Sequence, residues 1–408
     1  INGELLQGEL VIPSTITNVP SYAFAGATDI SSIKFNSSLS SVGANAFTKC
    51  NGLNRVEFEG TLDEWMNITF MNCFANPNYY ANNLIVNGLP VSGEITIPDN
   101  LTSIHDASFA GCNDITKINF SENITSIGNY AFYSCKALTE IVIPDSVKSI
   151  GNNAFAYCNN VSEITLGKEI TFIDDSAFES CSNLETVNYN CTNCTYAAIS
   201  RNYAVFKNCS MLSNFNIGKN VTQLPINLLN SCSSIKNITI PQSVTNIRNR
   251  AFYRCTGLEN VYYEGTLDNW CGIVFKNSYS NPCYYADNLY CDGKLVSGDI
   301  TIATDVNDYA LYNSASITNV TLTDNVKKIG NCAFQKCTSL KNVTIPDSVT
   351  YIGNHAFSGD SNIESFSLPK SLTTIGNGAF KNCALIDDIV VPENVTNIGA
   401  SAFYGCNN

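Results

Sequence analysis

Eighteen cysteines and two histidines are the side chains of this 408-residue chain best suited to bind a metal, form disulfides or act as nucleophiles. Cys191-Thr-Asn-Cys194 has the spacing of a zinc-ligand pair. No second pair and no nearby histidine completes such a site, so a local disulfide and two unpaired thiols stand beside it as readings. Cys271, Cys283 and Cys291 cluster within one stretch and leave room for one disulfide among them. His105 and His355 lie far apart in the chain, each in a turn, and neither has the neighbours of a Ser-His-Asp or Cys-His arrangement. Asp174-Asp175 could be paired carboxylates, but that turn position is polar in most coils. The chain also lacks a phosphate-cradling G-x-x-x-x-G-K-[ST] loop and the H-E-x-x-H zinc motif. No catalytic residue, metal ligand or cofactor site is assigned.

All but Cys73 and Cys332 of the remaining cysteines belong to a pattern. These eleven, Cys50, Cys112, Cys135 and Cys158 among them, stand three residues after a recurring Phe or Leu. That position runs through Phe24, Phe47, Phe109, Phe132, Phe155 and Phe178 to Phe403, in 14 copies, and ten of the 13 steps are 23 residues. A fixed period of this size marks a solenoid whose coils cover one another. A slot filled once per coil is a core slot, so these cysteines read as a ladder of buried thiols.

One coil can be followed from Leu138. Ile141 and Ile143 alternate with exposed residues as a half-buried strand, and Pro144 ends it. Val147 to Ile150 forms a second short edge. Asn152-Asn153 turns the chain, Ala154-Phe155 fills the interior, and a short helical or 3-10 turn ends at Cys158. The expected fold is therefore mostly β, with about 14 coils and a parallel sheet.

Two stretches break the beat, and they match each other at an offset of 205 residues. Glu59-Gly-Thr-Leu-Asp-Glu-Trp65 parallels Glu264-Gly-Thr-Leu-Asp-Asn-Trp270. Asn76-Pro-Asn-Tyr-Tyr80 parallels Asn281-Pro-Cys-Tyr-Tyr285. The organisation expected is one array over 1–408: coils at 1–58, an insertion at 59–97, coils at 98–263, a second insertion at 264–302 and coils at 303–408. Ile1-Asn2-Gly3 matches Val86-Asn87-Gly88, the tail of an insertion, and Asn408 stops before a strand, so the array is expected to be cut at both ends. Thr61-x-x-Glu64 reads as a capping box opening a short helix. Leu62, Trp65 and Ile68 then share one face, which makes Trp65 a core residue of the insertion.

The repeat L-x-x-I-x-I-P-x-S-V-x-x-I-G-x-x-A-F-x-x-C, with its G-T-L-x-x-W insertion, resembles the leucine-rich repeat of the BspA-like surface proteins. The resemblance covers nearly the whole chain. It implies a curved, right-handed leucine-rich-repeat solenoid on a cell surface or secreted, with adhesion to host or neighbouring-cell molecules in some members.

The net charge of −13 disfavours nucleic acid and anionic membrane as partners, because the chain would repel phosphate. Many unpaired thiols fit an oxygen-poor habitat, that of an anaerobic microbe. Strand positions that face outward are mostly Asn, Thr and Ser, which favour ladders of hydrogen bonds between coils. Tyr262 is the one aromatic anchor among them, and the insertions add Tyr79, Tyr80, Tyr279, Tyr284 and Tyr285. Adjacent tyrosines on an extended segment point to opposite sides, so one of each pair is expected to be exposed. These six residues are the candidate contacts for a host or neighbouring-cell protein or glycan. The expected role is a non-catalytic recognition or adhesion module. A structural spacer projecting another domain is the alternative, and a carbohydrate- or peptide-active enzyme a distant third.

Overall fold

The computed structural model describes residues 7–197, 204–364, 367–386 and 389–407. The match of Ile1-Asn2-Gly3 to an insertion tail lies outside these, as do Ser365, Asp388 and Asn408. The chain forms two compact units, Ile1–Phe215 and Asn216–Asn408, and both are parallel β-solenoids.

In the first unit the strands Glu140–Val142, Glu163–Leu166 and Thr186–Tyr189 pair in parallel, with Ile141, Ile164 and Val187 in register. A second ladder on another side of the coil joins Ser103–Ile104, Ser126–Ile127, Ser149–Ile150, Phe172–Ile173 and Tyr196–Ala197. Both strands of the expected coil are therefore present. Between them lies a stack of phenylalanine rings: Phe109, Phe132, Phe155 and Phe178 are 5.1–5.4 Å apart and within 10° of parallel. The second unit repeats this plan. Asn237–Ile240, Asn260–Tyr263 and Asn288–Cys291 pair in parallel, and Phe334, Phe357, Phe380 and Phe403 stack at 5.2–5.5 Å.

Left-handed residues make the tight corners. Asn153, Tyr157 and Ser180 have φ of 52–63°, and their N–H groups reach Asp175 O, Glu179 O and Lys207 O one coil away. A single L-residue in this region costs free energy, which the ladder repays with a hydrogen bond at every turn.

The cysteine ladder has a second role beyond apolar filling. Most ladder thiols donate to the carbonyl of the core Phe or Leu 26 residues earlier: Cys135 Sγ to Phe109 O at 3.2 Å, Cys158 to Phe132 at 3.3 Å, Cys337 to Leu311 at 3.2 Å. Cys209, across the longer step from Phe178 to Phe206, does the same over 31 residues at 3.2 Å, whereas Cys112 Sγ, after the first long turn, accepts from Asn78 Nδ2 at 3.2 Å. A small side chain with a weak donor suits a slot that is both apolar and faced by a carbonyl in need of a donor. All 18 cysteines are free thiols.

The coil count of 14 is corrected to about 17, and the insertions explain most of the difference. Each insertion is itself a turn of the solenoid. Thr69–Phe70 extends the ladder of Ser41–Val42, and Leu84–Val86 pairs in parallel with Arg55–Phe58. Phe47 N–H reaches Phe74 O (3.2 Å), whereas elsewhere it would reach the residue before the next Phe, so Ala75 holds the core slot. The 62-residue gap is thus two steps, 28 to Ala75 and 34 to Phe109. In the second unit Phe252 N–H reaches Tyr279 O at 3.1 Å and Ser280 takes the slot. Small residues there hide the turn from a search for phenylalanine.

After each of these turns the sheet is interrupted. Asn87 (φ 49°) and Gly88 (φ 73°) make the left-handed pair of a type I′ hairpin turn, which sends Leu89–Pro90 back antiparallel along Leu84–Val86. Asp292 and Gly293 do the same before Lys294–Leu295. A new sheet then begins at Gly93–Thr96 in the first unit and at Gly298–Ile302 in the second.

Candidate interaction surfaces

The two long turns are built on buried polar anchors. Thr61 caps the helix Leu62–Met66 and exchanges bonds with Glu64, as the capping box requires. Trp65 is fully buried between Phe58 (5.5 Å) and Phe70 (5.3 Å), and its Nε1–H donates to Ser108 O at 2.8 Å. Trp270 repeats this with Tyr263, Phe275 and Ala310 O. Both tryptophans are core residues. Asn76 and Asn281 are also fully buried. Asn76 donates to Ala107 O (2.8 Å) and accepts from Asn78 N–H (2.9 Å), and Asn281 bonds Tyr309 O and Cys283 N–H in the same way.

These anchors place the candidate tyrosines. Tyr79 and Tyr80 lie on a short helix, Asn78–Ala81, not on an extended segment, and Tyr284 ends the 3-10 turn Pro282–Tyr284. The expected split into one exposed and one packed ring is therefore corrected: on a helical turn both rings lean over the neighbouring coil, and all four tyrosines are half-buried. Tyr80 Oη accepts from Lys49 N–H at 3.0 Å and Tyr285 Oη from Arg254 N–H at 2.8 Å, so these two hydroxyls complete turns of the preceding coil.

The structure joins the tyrosines to partners that the sequence pattern did not single out. In the first unit Phe74, Tyr79, Tyr80, Tyr130, Tyr133 and Tyr157 form one chain of ring contacts 5.0–5.8 Å apart. In the second, Tyr279, Tyr284 and Tyr285 join Tyr253 and Tyr312, with Tyr284 stacked on Tyr312 at 5.5 Å and 10°. Arg250 and Arg254 lie 5.7 and 5.2 Å from the Tyr253 ring. The legible signal was there: Tyr133, Tyr253 and Tyr312 each directly follow a core Phe or Leu. Burial raises the hydroxyl pKa of Tyr79, Tyr133, Tyr284 and Tyr312, so each stays protonated and neutral. Tyr262 stands apart on the strand face, stacked on Tyr290 at 4.8 Å.

Elsewhere the strand face is occupied with itself. Asn260 donates to Asn237 (2.8 Å), Asn288 to Asn260 (2.9 Å), Asn342 to Asn319 (2.7 Å), and Asn188 to Glu163 (2.6 Å). This is the amide ladder expected from the composition.

The chemistry-bearing residues do not converge. His105 and His355 occupy separate turns, and among the described residues no three His, Cys, Asp or Glu side chains converge as a metal site would require. Cys191 and Cys194 are buried beside Tyr189, and burial pushes the Cys191 thiol well above its usual range. A thiol so held is a poor nucleophile. Asp174 and Asp175 are turn residues, with Asp174 Oδ1 accepting the Asp175 N–H at 2.7 Å. No helix among the described residues is long and apolar enough to cross a membrane.

Two buried polar residues break the core ladder, Ser314 after Leu311 and the charged Asp360. Asp360 occupies the cysteine slot three residues after Phe357 and is fully buried. Its Oδ1 accepts from Cys337 N–H at 2.7 Å, while Oδ2 has no partner. Burial holds its pKa well above the carboxylate range, ahead of the two backbone N–H groups that lower it. The folded state therefore binds this proton more tightly than the unfolded chain. Its stability is full below the unfolded pKa of about 3.9 and falls as pH rises through the folded value. Asp360→Cys restores the ladder residue at nearly equal volume. It should stabilise the protein by about 1–3 kcal/mol at pH 8 and change little at pH 3.5. Urea titrations at the two pH values check this, and an equal gain at both would contradict it.

A family model described as BspA type leucine rich repeat region matches residues 6–86, 92–203, 193–282 and 304–408. No curated protein matches the chain in sequence. Among solved structures, a leucine-rich repeat protein from Bacteroides ovatus ATCC 8483 is 24% identical, with 95% of this chain and 87% of that one covered and a TM-score of 0.51. A leucine rich cell surface protein from Faecalibacterium prausnitzii A2-165 is 21% identical over 66% of this chain and 91% of its own, at a TM-score of 0.29. A leucine-rich repeat protein from Eubacterium ventriosum ATCC 27560 is 22% identical over 77% and 88%, at 0.32.

Proposed function

The chain belongs to the BspA-type leucine-rich repeat family, and from that premise we propose that it is a non-catalytic recognition module, displayed on a cell surface or secreted, that adheres to a protein or glycan of a host or neighbouring cell. The observation that carries this reading is the duplicated tyrosine cluster. Half-exposed rings sit on a rigid ladder, held by Asn76 and Trp65 in one unit and by Asn281 and Trp270 in the other. Rigid aromatic side chains give contact area at low entropic cost, and tyrosine is enriched where binding energy concentrates. The acidic balance of the chain favours neutral or basic partners over nucleic acid.

The spacer reading also has support, since Tyr80 and Tyr285 spend their hydroxyls on turns and the strand face bonds to itself. The two readings part on arrays of extracellular-matrix proteins and glycans. A recognition module binds a defined subset. Changing Tyr79 and Tyr284 to Ser, with the thermal midpoint held, should then weaken that binding roughly tenfold or more. Binding that survives both changes removes the clusters as the site, and an array with no hits leaves the spacer.

A further inference from the structure

The break after the first long turn leaves a strand edge open. Gly93 N–H and Ile97 N–H bond to Asp114 O and Asn119 O at 2.8 and 2.9 Å, on the side of the strand Ile115–Asn119. Alternate residues of a parallel strand address opposite neighbours, so the backbone groups of Glu94 and Thr96 face the other way. On that side, among the described residues, no strand pairs with Gly93–Thr96. What lies there is a groove of about 430 Å³ between the strand and the hairpin arm, walled by Leu62, Leu89 and Pro90. Leu89 is 71% exposed. Pro90 has no N–H, so this wall cannot itself close the ladder. Glu94 is the charged residue of the groove, and no Lys, Arg or His lines it.

We propose that this groove takes one extended segment of a partner protein by strand addition, with a basic residue of that segment at Glu94 and an apolar one against Leu62 and Leu89. An open strand edge presents a row of N–H and C=O groups whose natural complement is another extended backbone. The lone carboxylate on an acidic chain sets the sign of the partner. The hairpin is also the reason the edge stays free: the type I′ turn at Asn87-Gly88 folds Leu89–Pro90 back where a coil would otherwise continue the sheet. The second unit repeats the hairpin but carries Lys294 and Leu295 in place of Leu89 and Pro90, so it forms an internal comparison with altered charge.

This inference rests on the recognition reading and names a partner class for it. The test is a displayed library of random heptapeptides panned on the whole chain, with the Leu89→Arg/Glu94→Lys double variant as counter-selection. The expected result is a set of peptides with alternating apolar residues and Lys or Arg. Binding should fall at least tenfold on the double variant and when alternate peptide amides are N-methylated, which removes edge pairing but keeps the side chains. Thermal unfolding confirms that the variant is folded. A milder Leu89→Ser variant, expected to lose several-fold, serves if it is not. Enriched peptides that tolerate N-methylation, or that bind the folded variants equally, overturn the proposal, as does a library with no enrichment. If the arrays of proteins and glycans still show partners whose binding ignores these substitutions, the groove fails while the recognition reading stands.

Discussion

Phe155→Ala should lower the unfolding free energy by about 3–5 kcal/mol, the range for truncating a buried phenylalanine. The ring is fully buried and lies between Phe132 at 5.1 Å and Phe178 at 5.4 Å. Removing it deletes two stacking contacts and leaves a void between neighbours that cannot close. The coil spacing is fixed by the ladders themselves: Phe132 N–H to Ala154 O at 2.7 Å and Phe155 N–H to Ala177 O at 2.8 Å hold the three turns apart whatever fills them. Phe155→Leu should cost less, since most of the volume remains. A solenoid coil touches only its neighbours, so the loss should also be local. Hydrogen exchange should quicken for amides around Phe132 to Phe178 and stay unchanged near Phe357. Urea titration measures the total, and a loss below about 1 kcal/mol would show that the slot is not a closely packed interior.

The coil was readable because its constraints are one-dimensional. Isoleucine alternation, the proline stop and the Phe-x-x-Cys spacing each follow from stacking identical turns, and all appear as read in the strand Glu140–Val142, the edge Ser149–Ile150 and the ring of Phe155. What escaped was compensation between distant residues. Ala75 and Ser280 break the phenylalanine beat because a small residue holds the slot in those turns, and spacing alone carries no sign of that exchange. The tyrosine clusters escaped for a related reason. Tyr79 meets Tyr133, 54 residues on, only after the helix Asn78–Ala81 turns it, and that helix has no capping side chain to announce it. The thiol ladder was legible as burial but not as hydrogen bonding. Its acceptor, a carbonyl 26 residues back, exists only once the coils are stacked. Asp360 was visible in sequence as a departure from the cysteine slot; its cost needed the burial.

Trp65→Ala should be as damaging as the phenylalanine change, at about 3–5 kcal/mol, and its effect should have a different form. Trp65 lies in the turn before the sheet break, and Ser108 in the first coil after it. Its Nε1–H donates to Ser108 O at 2.8 Å across 43 residues, and Asn76 Nδ2 reaches the same oxygen at 3.3 Å. Main-sheet pairing stops at this place, because the hairpin arm stands between Leu84–Val86 and Gly93–Thr96. The tryptophan and asparagine therefore replace a missing ladder by side-chain bonds from the core. Trp65→Phe separates the two contributions. It keeps an aromatic ring against Phe58 and Phe70 but leaves Ser108 O with the longer Asn76 bond alone, which should cost about 1–2 kcal/mol. The Ala variant removes both and should uncouple the coils on either side of the break. Residues 8–58 would then exchange amide hydrogens at lower denaturant than residues 115–189, whereas the wild type opens them together. Trp270 remains as the fluorescence reporter for the second unit, so a shift confined to the first unit is separable in one titration. Joint opening of both stretches in the Ala variant would mean that the Asn76 bonds to Ala107 O and Ser108 O suffice to carry the break, and that the tryptophan is only filling space.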